Sequence, residues 1–165
     1  MKHTIFAALA ALPVIAAPAL ADDRADVEAA VSAVYEVISG PVGEPRDFDA
    51  MRGLFLPGAA MGAVGPGEDG TGRGRVISLE EYIERSGPFL VENGFTERPT
   101  RTEIDLYGEL AYVRSAYEGT NGATGEVMVT GVNFMTLFKV EGEWKFASLL
   151  WRAADENWPV EAAFE

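Results

Sequence analysis

Cysteine is absent from this 165-residue chain, and its one histidine, His3, stands in a stretch that does not read as part of the mature protein. A thiolate redox pair, a His-dependent serine or cysteine triad and a zinc site of the usual His and Cys ligands are thereby excluded. No metal or cofactor is expected. Basic residues are scarce as well: 13 Lys and Arg stand against 26 Asp and Glu, a net charge of −13. Such a balance repels nucleic acid and anionic membrane surfaces, so neither is an expected partner. Beyond residue 21, no apolar run approaches the roughly 20 residues that a membrane-spanning helix needs.

What the chain does contain begins with a secretory pattern. Lys2 and His3 form the positive end, Ile5 to Leu20 the apolar stretch, and Ala19-Leu20-Ala21 the small-residue cleavage site. Cleavage after Ala21 leaves a mature chain starting at Asp22 with neither His nor Cys, 12 basic and 26 acidic residues, and a net charge of −14. The expected location is the periplasm or the exterior. Residues 22–165 are read as one domain, large enough to be held by packing without disulfides.

From Asp23 to Ser39, Val27, Val31, Val34 and Ile38 recur at helical spacing, and Gly40-Pro41 ends the pattern. Asp47 predicts the cap of a short second helix over 48–54, with Met51 turned to the core. Leu56 to Val64 is small and apolar, consistent with a short strand, and Gly62 to Gly74 reads as a mobile surface loop. Ser78 and Glu81 make a capping box for a third helix, which Gly87-Pro88 should kink or divide and Asn93-Gly94 should stop. After Phe95 the period becomes two. Strands are predicted on either side of Tyr107-Gly108-Glu109-Leu110, and Thr130 to Val140 with Trp144 to Ala153 forms the clearest hairpin, after a turn at Asn121-Gly122.

This order predicts an α+β domain in which about three helices cover one face of a curved antiparallel sheet. The long first helix, the third helix over 77–89 and the final hairpin over 131–151 resemble the nuclear transport factor 2-like superfamily, including SnoaL-like proteins. That resemblance implies a cone-shaped sheet closed by helices around a pocket. It also implies a common dimeric state, with uses ranging from isomerases, dehydratases and cyclases to non-catalytic binding.

Side-chain register follows from the turns. If Glu141-Gly142 is a two-residue turn, Val140 stands opposite Glu143, Lys139 opposite Trp144, Met135 opposite Ser148 and Asn133 opposite Leu150. One face then carries Asn133, Met135, Leu137, Trp144, Phe146, Ser148, Leu150 and Arg152. The other carries Val132, Phe134, Thr136, Phe138, Lys145, Ala147, Leu149 and Trp151. Both faces are strongly apolar, so each needs a cover. The helices cover one, and a second copy of the chain is expected on the other through Phe134, Phe138 and Trp151.

The face that mixes Asn133, Ser148 and Arg152 with large apolar groups is assigned to the interior, because such a mixture orients a ligand. Across Gly108-Glu109, the same reasoning turns Ile104, Leu106, Ala111, Val113, Ser115 and Tyr117 inward and Glu103, Asp105, Tyr112 and Arg114 outward. The expected ligand contacts are therefore Tyr35 and Tyr82 from helices, with Ser115, Tyr117, Asn133, Met135, Ser148 and Arg152 from strands. No catalytic residue is assigned.

Each candidate also has a plainer explanation. Arg152 needs an anionic partner, which could be a ligand carboxylate, Glu28, Glu36 or Asp155, unless it is exposed at the strand end. Tyr35 and Tyr117 suit hydrogen-bond donors or core residues with one satisfied hydroxyl, while Asn133 and Ser148 could satisfy backbone groups. Gly65, Gly67 and Gly70 match a dinucleotide-binding spacing, but Pro66, Glu68 and Asp69 are unsuited to phosphate. Three functions remain open: binding of a small, partly apolar molecule, a SnoaL-like enzyme without cofactor, and a protein-interaction module. An Asp or Glu near Tyr35 or Tyr117 would favour catalysis, its absence from a formed pocket would favour binding, and a filled cone would favour interaction.

Overall fold

The computed structural model describes the backbone of residues 17–165 and side chains from Asp22 onward. The expected signal segment, residues 1–21, lies outside that range except for the backbone of its last five residues, which belongs to the first helix. The elements run α1 (Ala17–Ile38), α2 (Phe48–Leu54), β1 (Phe55–Pro66), β2 (Gly72–Ser78), α3 (Leu79–Asn93), β3 (Phe95–Tyr107), β4 (Leu110–Asn121), β5 (Val127–Val140) and β6 (Glu143–Ala153), followed by a short 3-10 helix (Val160–Ala163). Six strands form one curved, unclosed sheet in the order β2-β1-β6-β5-β4-β3. Among the described residues, no helix is long and apolar enough to cross a membrane.

The helical pattern of α1 places Val27, Val31, Val34 and Ile38 in the core with Ile104, Val113, Met135, Leu137 and Phe146 of the sheet. Asp47 caps α2 by accepting from the Ala50 amide at 2.8 Å, and Ser78 caps α3 by accepting from the Glu81 amide at 3.1 Å. Helix α3 runs through Pro88 as one element instead of dividing there. Gly94 ends it at φ 65, where a Cβ would stand 2.7 Å from the Val42 nitrogen. Arg46, which the sequence did not single out, is buried and donates to the carbonyls of Ile38, Gly40 and Leu90, tying the end of α1 to α3.

Most of the segment read as a loop over Gly62 to Gly74 is strand. β1 pairs antiparallel with β2 from Ala60↔Ser78 to Pro66↔Gly72, leaving only a tight connection. The glycines serve close approach as well as turning: a Cβ on Gly62 would lie 2.5 Å from the Arg75 carbonyl oxygen. β1 also runs parallel to β6, so the sheet is mixed where an antiparallel one was expected.

The final hairpin turns at Glu141 (φ 53) and Gly142 (φ 87), and its first pairs are Val140↔Glu143 and Lys139↔Trp144, as the two-residue turn requires. The predicted register then fails. Leu137 pairs with Phe146, but Thr136 pairs with Ser148, so Ala147 is the extra residue of a β-bulge. Beyond it every β6 side chain changes face relative to the simple alternation. Met135 therefore stands opposite Leu149 and Asn133 opposite Trp151. Leu149 and Trp151 turn inward, while Ser148, Leu150 and Arg152 turn outward with Phe134. Ser148 and Arg152 are thus removed from the expected interior set, and Trp151 from the expected dimer face.

A second bulge lies on β3, where Pro99 pairs with Tyr117 and Arg101 with Ala116, leaving Thr100 extra. Thr102 and Ile104 share the inward face with Ser115 and Val113, but before the bulge the inward residues are Phe95, Glu97 and Pro99. Proline is tolerated because β3 is an edge strand.

Candidate functional site

A cavity of about 460 Å³ opens between α1, α3 and the inner face of the sheet. Its walls are mainly apolar, including Met61, Phe95, Leu149 and Trp151, and among the described residues its charged lining residues are Glu97 and Arg73. Tyr82 from α3 meets Trp151 edge to face, with ring centroids 6.0 Å apart. Four of the expected ligand contacts line this cavity: Tyr35, Tyr82, Tyr117 and Asn133.

Glu97 reaches the cavity because the start of β3 is pinned to the end of α1. Gly40 and Phe95 exchange two backbone hydrogen bonds, at 2.8 and 3.0 Å. The Ser39 hydroxyl donates to the Tyr35 carbonyl at 2.7 Å and accepts from the Glu97 amide at 2.9 Å. Tyr35 and Glu97 thereby enter the cavity from adjacent backbone. The Asn133 side-chain amide, from β5, donates to the Tyr35 hydroxyl at 3.0 Å and to Glu97 Oε1 at 3.3 Å. Tyr35 in turn donates to Ser115 Oγ at 2.8 Å, and Ser115 lies 3.2 Å from the Thr102 hydroxyl.

Burial pushes the Glu97 carboxyl up to about 7, against the opposing pull of the Asn133 hydrogen bond. Burial likewise raises Tyr35 to about 12, with its hydrogen bonds to Ser115 and Asn133 acting the other way and the Glu97 charge adding to the rise. Tyr82 and Tyr117 are raised by burial and then by Glu97. Neutral phenols and a carboxyl that is half-ionised near neutrality therefore share one mainly apolar space. That combination can donate hydrogen bonds to an oxygen and move a proton at pH 7.

The other expected contacts lie elsewhere. Ser115 and Met135 are fully buried; Ser115 supports Tyr35 from beneath, and Met135 belongs to the core. Ser148 and Arg152 are on the opposite face of the sheet. Arg152 donates to Asp155 Oδ2 at 2.6 Å and to the Ala153 carbonyl, the salt-bridge alternative, and does not line this cavity. Glu97, Trp151 and Arg73 are among the lining residues that the sequence did not point to. Pro99, a strand proline two residues after Glu97, was the available sign that the alternation breaks there.

No family model matches the sequence, and no curated protein matches it. Solved structures do match. An NTF2-like protein with a cystatin-like fold from Novosphingobium aromaticivorans superposes with a TM-score of 0.69 at 14% identity, over 89% of this chain and 92% of that one. A candidate dehydratase of the NTF2-like family from Streptomyces avermitilis gives 0.63 at 18% identity, over 82% of this chain and 99% of that one. A candidate scytalone dehydratase from Novosphingobium aromaticivorans gives 0.58 at 19% identity, over 83% and 87%. With its helices laid across one face of a curved mixed sheet, the chain has the NTF2-like, cystatin-like fold.

Proposed function

We propose that the cavity binds a small, partly apolar molecule and that Glu97 moves a proton within it, in the manner of a SnoaL-like isomerase, dehydratase or cyclase without cofactor. One observation carries this reading: the Glu97 carboxyl sits in a mainly apolar cavity, held by Asn133 beside Tyr35 and poised at about 7. A general base works best with a pKa near the operating pH. In its ionised form Glu97 takes a proton from a carbon next to a carbonyl, and the electron pair moves onto the carbonyl oxygen. The Tyr82 and Tyr117 hydroxyls, kept protonated by burial, stabilise that oxygen. Returning the proton to another carbon gives an isomer; returning it to a departing hydroxyl gives water and an alkene. The open cavity weighs against an interaction module with a filled cone.

Export and self-association belong to the same proposal. The N-terminal pattern over 1–21 supports export to the periplasm or exterior. Exposed Leu110, Tyr112, Phe138 and Leu150 support an identical partner on the outer sheet face, where Lys145 stands opposite Phe138 and Arg114 opposite Phe134. The C-terminal segment covers part of that face: Arg114 donates to the Ala163 carbonyl, and Phe164 stacks under Arg101.

The test is deuterium wash-in next to the carbonyl of an apolar ketone such as tetralone, followed by NMR in heavy water. Wild-type protein should accelerate exchange, and Glu97→Gln should remove about 10²–10⁴ of that acceleration. Equal rates with the two proteins would contradict the proposal.

A further inference from the structure

Among the described residues Arg73 is the one basic side chain lining the cavity, and it enters from β2, beside the β1–β2 connection. Its guanidinium lies against the backbone of Gly67, where an added Cβ would stand 2.4 Å from Arg73 Nε. Its ionic partner is Asp69 at 3.2 Å, in a pair whose side chains are 69% and 54% exposed. A pair that exposed contributes little to stability, so exchanging Asp69 for another anion costs little. Asp69 would keep its own hydrogen bonds from the Thr71 amide and hydroxyl, at 3.1 and 2.6 Å. Arg73 is on β2 and Glu97 on β3, the two opposite edge strands of the sheet, so the two charged groups enter the cavity from opposite sides.

We infer that the cavity selects molecules carrying an anionic group, a carboxylate in the simplest case, which Arg73 receives at the mouth while the apolar body extends inward over Leu149 and Trp151. This deepens the proposed function and rests on that reading of the cavity. The spacing has a chemical consequence. A carboxylate held at Arg73 stays away from ionised Glu97, so the acid is bound without setting two negative charges together at the proton-transfer end. In a chain with a net charge of −14 after export, Arg73 also supplies the local attraction that an acidic ligand needs.

The experiment compares phenylbutyrate with its uncharged amide, phenylbutyramide, by titration calorimetry on wild type, Arg73→Gln and Arg75→Gln. Arg75 is on the same strand but is paired with Glu81 on α3 and does not line this cavity. Wild type should prefer the acid by about tenfold or more. Arg73→Gln should lose that preference while binding the amide as before, and Arg75→Gln should keep it. Equal binding of acid and amide by wild type, or equal loss of preference in both variants, would overturn the role of Arg73 and leave the cavity reading standing. Failure of wild type to bind either probe would overturn the cavity reading itself.

Discussion

Asn133 and Glu97 are joined by a 3.3 Å hydrogen bond, the amide nitrogen donating to Oε1, and the same nitrogen lies 3.0 Å from the Tyr35 hydroxyl. A residue from the middle of the sheet thus fastens together a helix side chain and an edge-strand side chain that the Gly40 and Ser39 contacts have already brought close. The bond opposes the rise that burial forces on the carboxyl, which stands at about 7.

Stability should carry the mark of that carboxyl. Glu97 rises from 4.5 to about 7 on folding, so the folded state holds its proton more tightly than the unfolded chain. Below about pH 4.5 both states are protonated and there is no penalty. Between about 4.5 and 7 the unfolded chain ionises first, and stability falls, by as much as about 3 kcal/mol. Glu97→Gln cannot ionise, so its melting temperature should gain on that of wild type as pH rises through this window. Parallel pH profiles would show that the carboxyl is not shifted.

Arg152 should matter little to the cavity. It lies on the outer face and pairs with Asp155 near the surface, with side chains 25% and 32% exposed. Arg152→Met should therefore cost no more than about 1 kcal/mol and leave phenylbutyrate binding unchanged. A selective loss of binding would restore the simple register and remove the bulge at Ala147.

The outer face predicts an assembly state. Leu150→Glu places a charge opposite Phe134 and Gly62, and sedimentation at micromolar concentration should show the expected wild-type dimer replaced by monomer or by aggregate. A wild-type protein that sediments as a monomer would contradict the proposed partner.

Much of the architecture was legible because it depends on local pattern. The four apolar positions of α1, the caps Asp47 and Ser78, and the turn at Glu141-Gly142 are each decided within a few residues. The site was legible only in part, for a different reason. Tyr35 and Tyr82 follow from helical spacing, and Tyr117 and Asn133 lie where no bulge on their own strand intervenes between the turn and the residue, so simple alternation placed them on the inner face. Glu97, Trp151 and Arg152 lie beyond bulges at Thr100 and Ala147. A bulge reverses alternation, and hydrophobicity could not reveal it in β6: Phe146 followed by Leu149 and Trp151 looks as apolar as Phe146 followed by Leu150. In β3, Glu97 stands in a polar stretch whose charges resemble a solvated edge. Arg73 was hidden because its strand is rich in glycine and reads as loop.

The measurement that bears most directly on the account is the titration of the Glu97 side-chain carboxyl, followed by carbon NMR with Glu97→Gln for assignment. The expected midpoint is close to 7 in the wild-type protein and higher in Asn133→Ala, where the opposing hydrogen bond is gone. A wild-type midpoint below about 5, in the range of an ordinary glutamate, would contradict it.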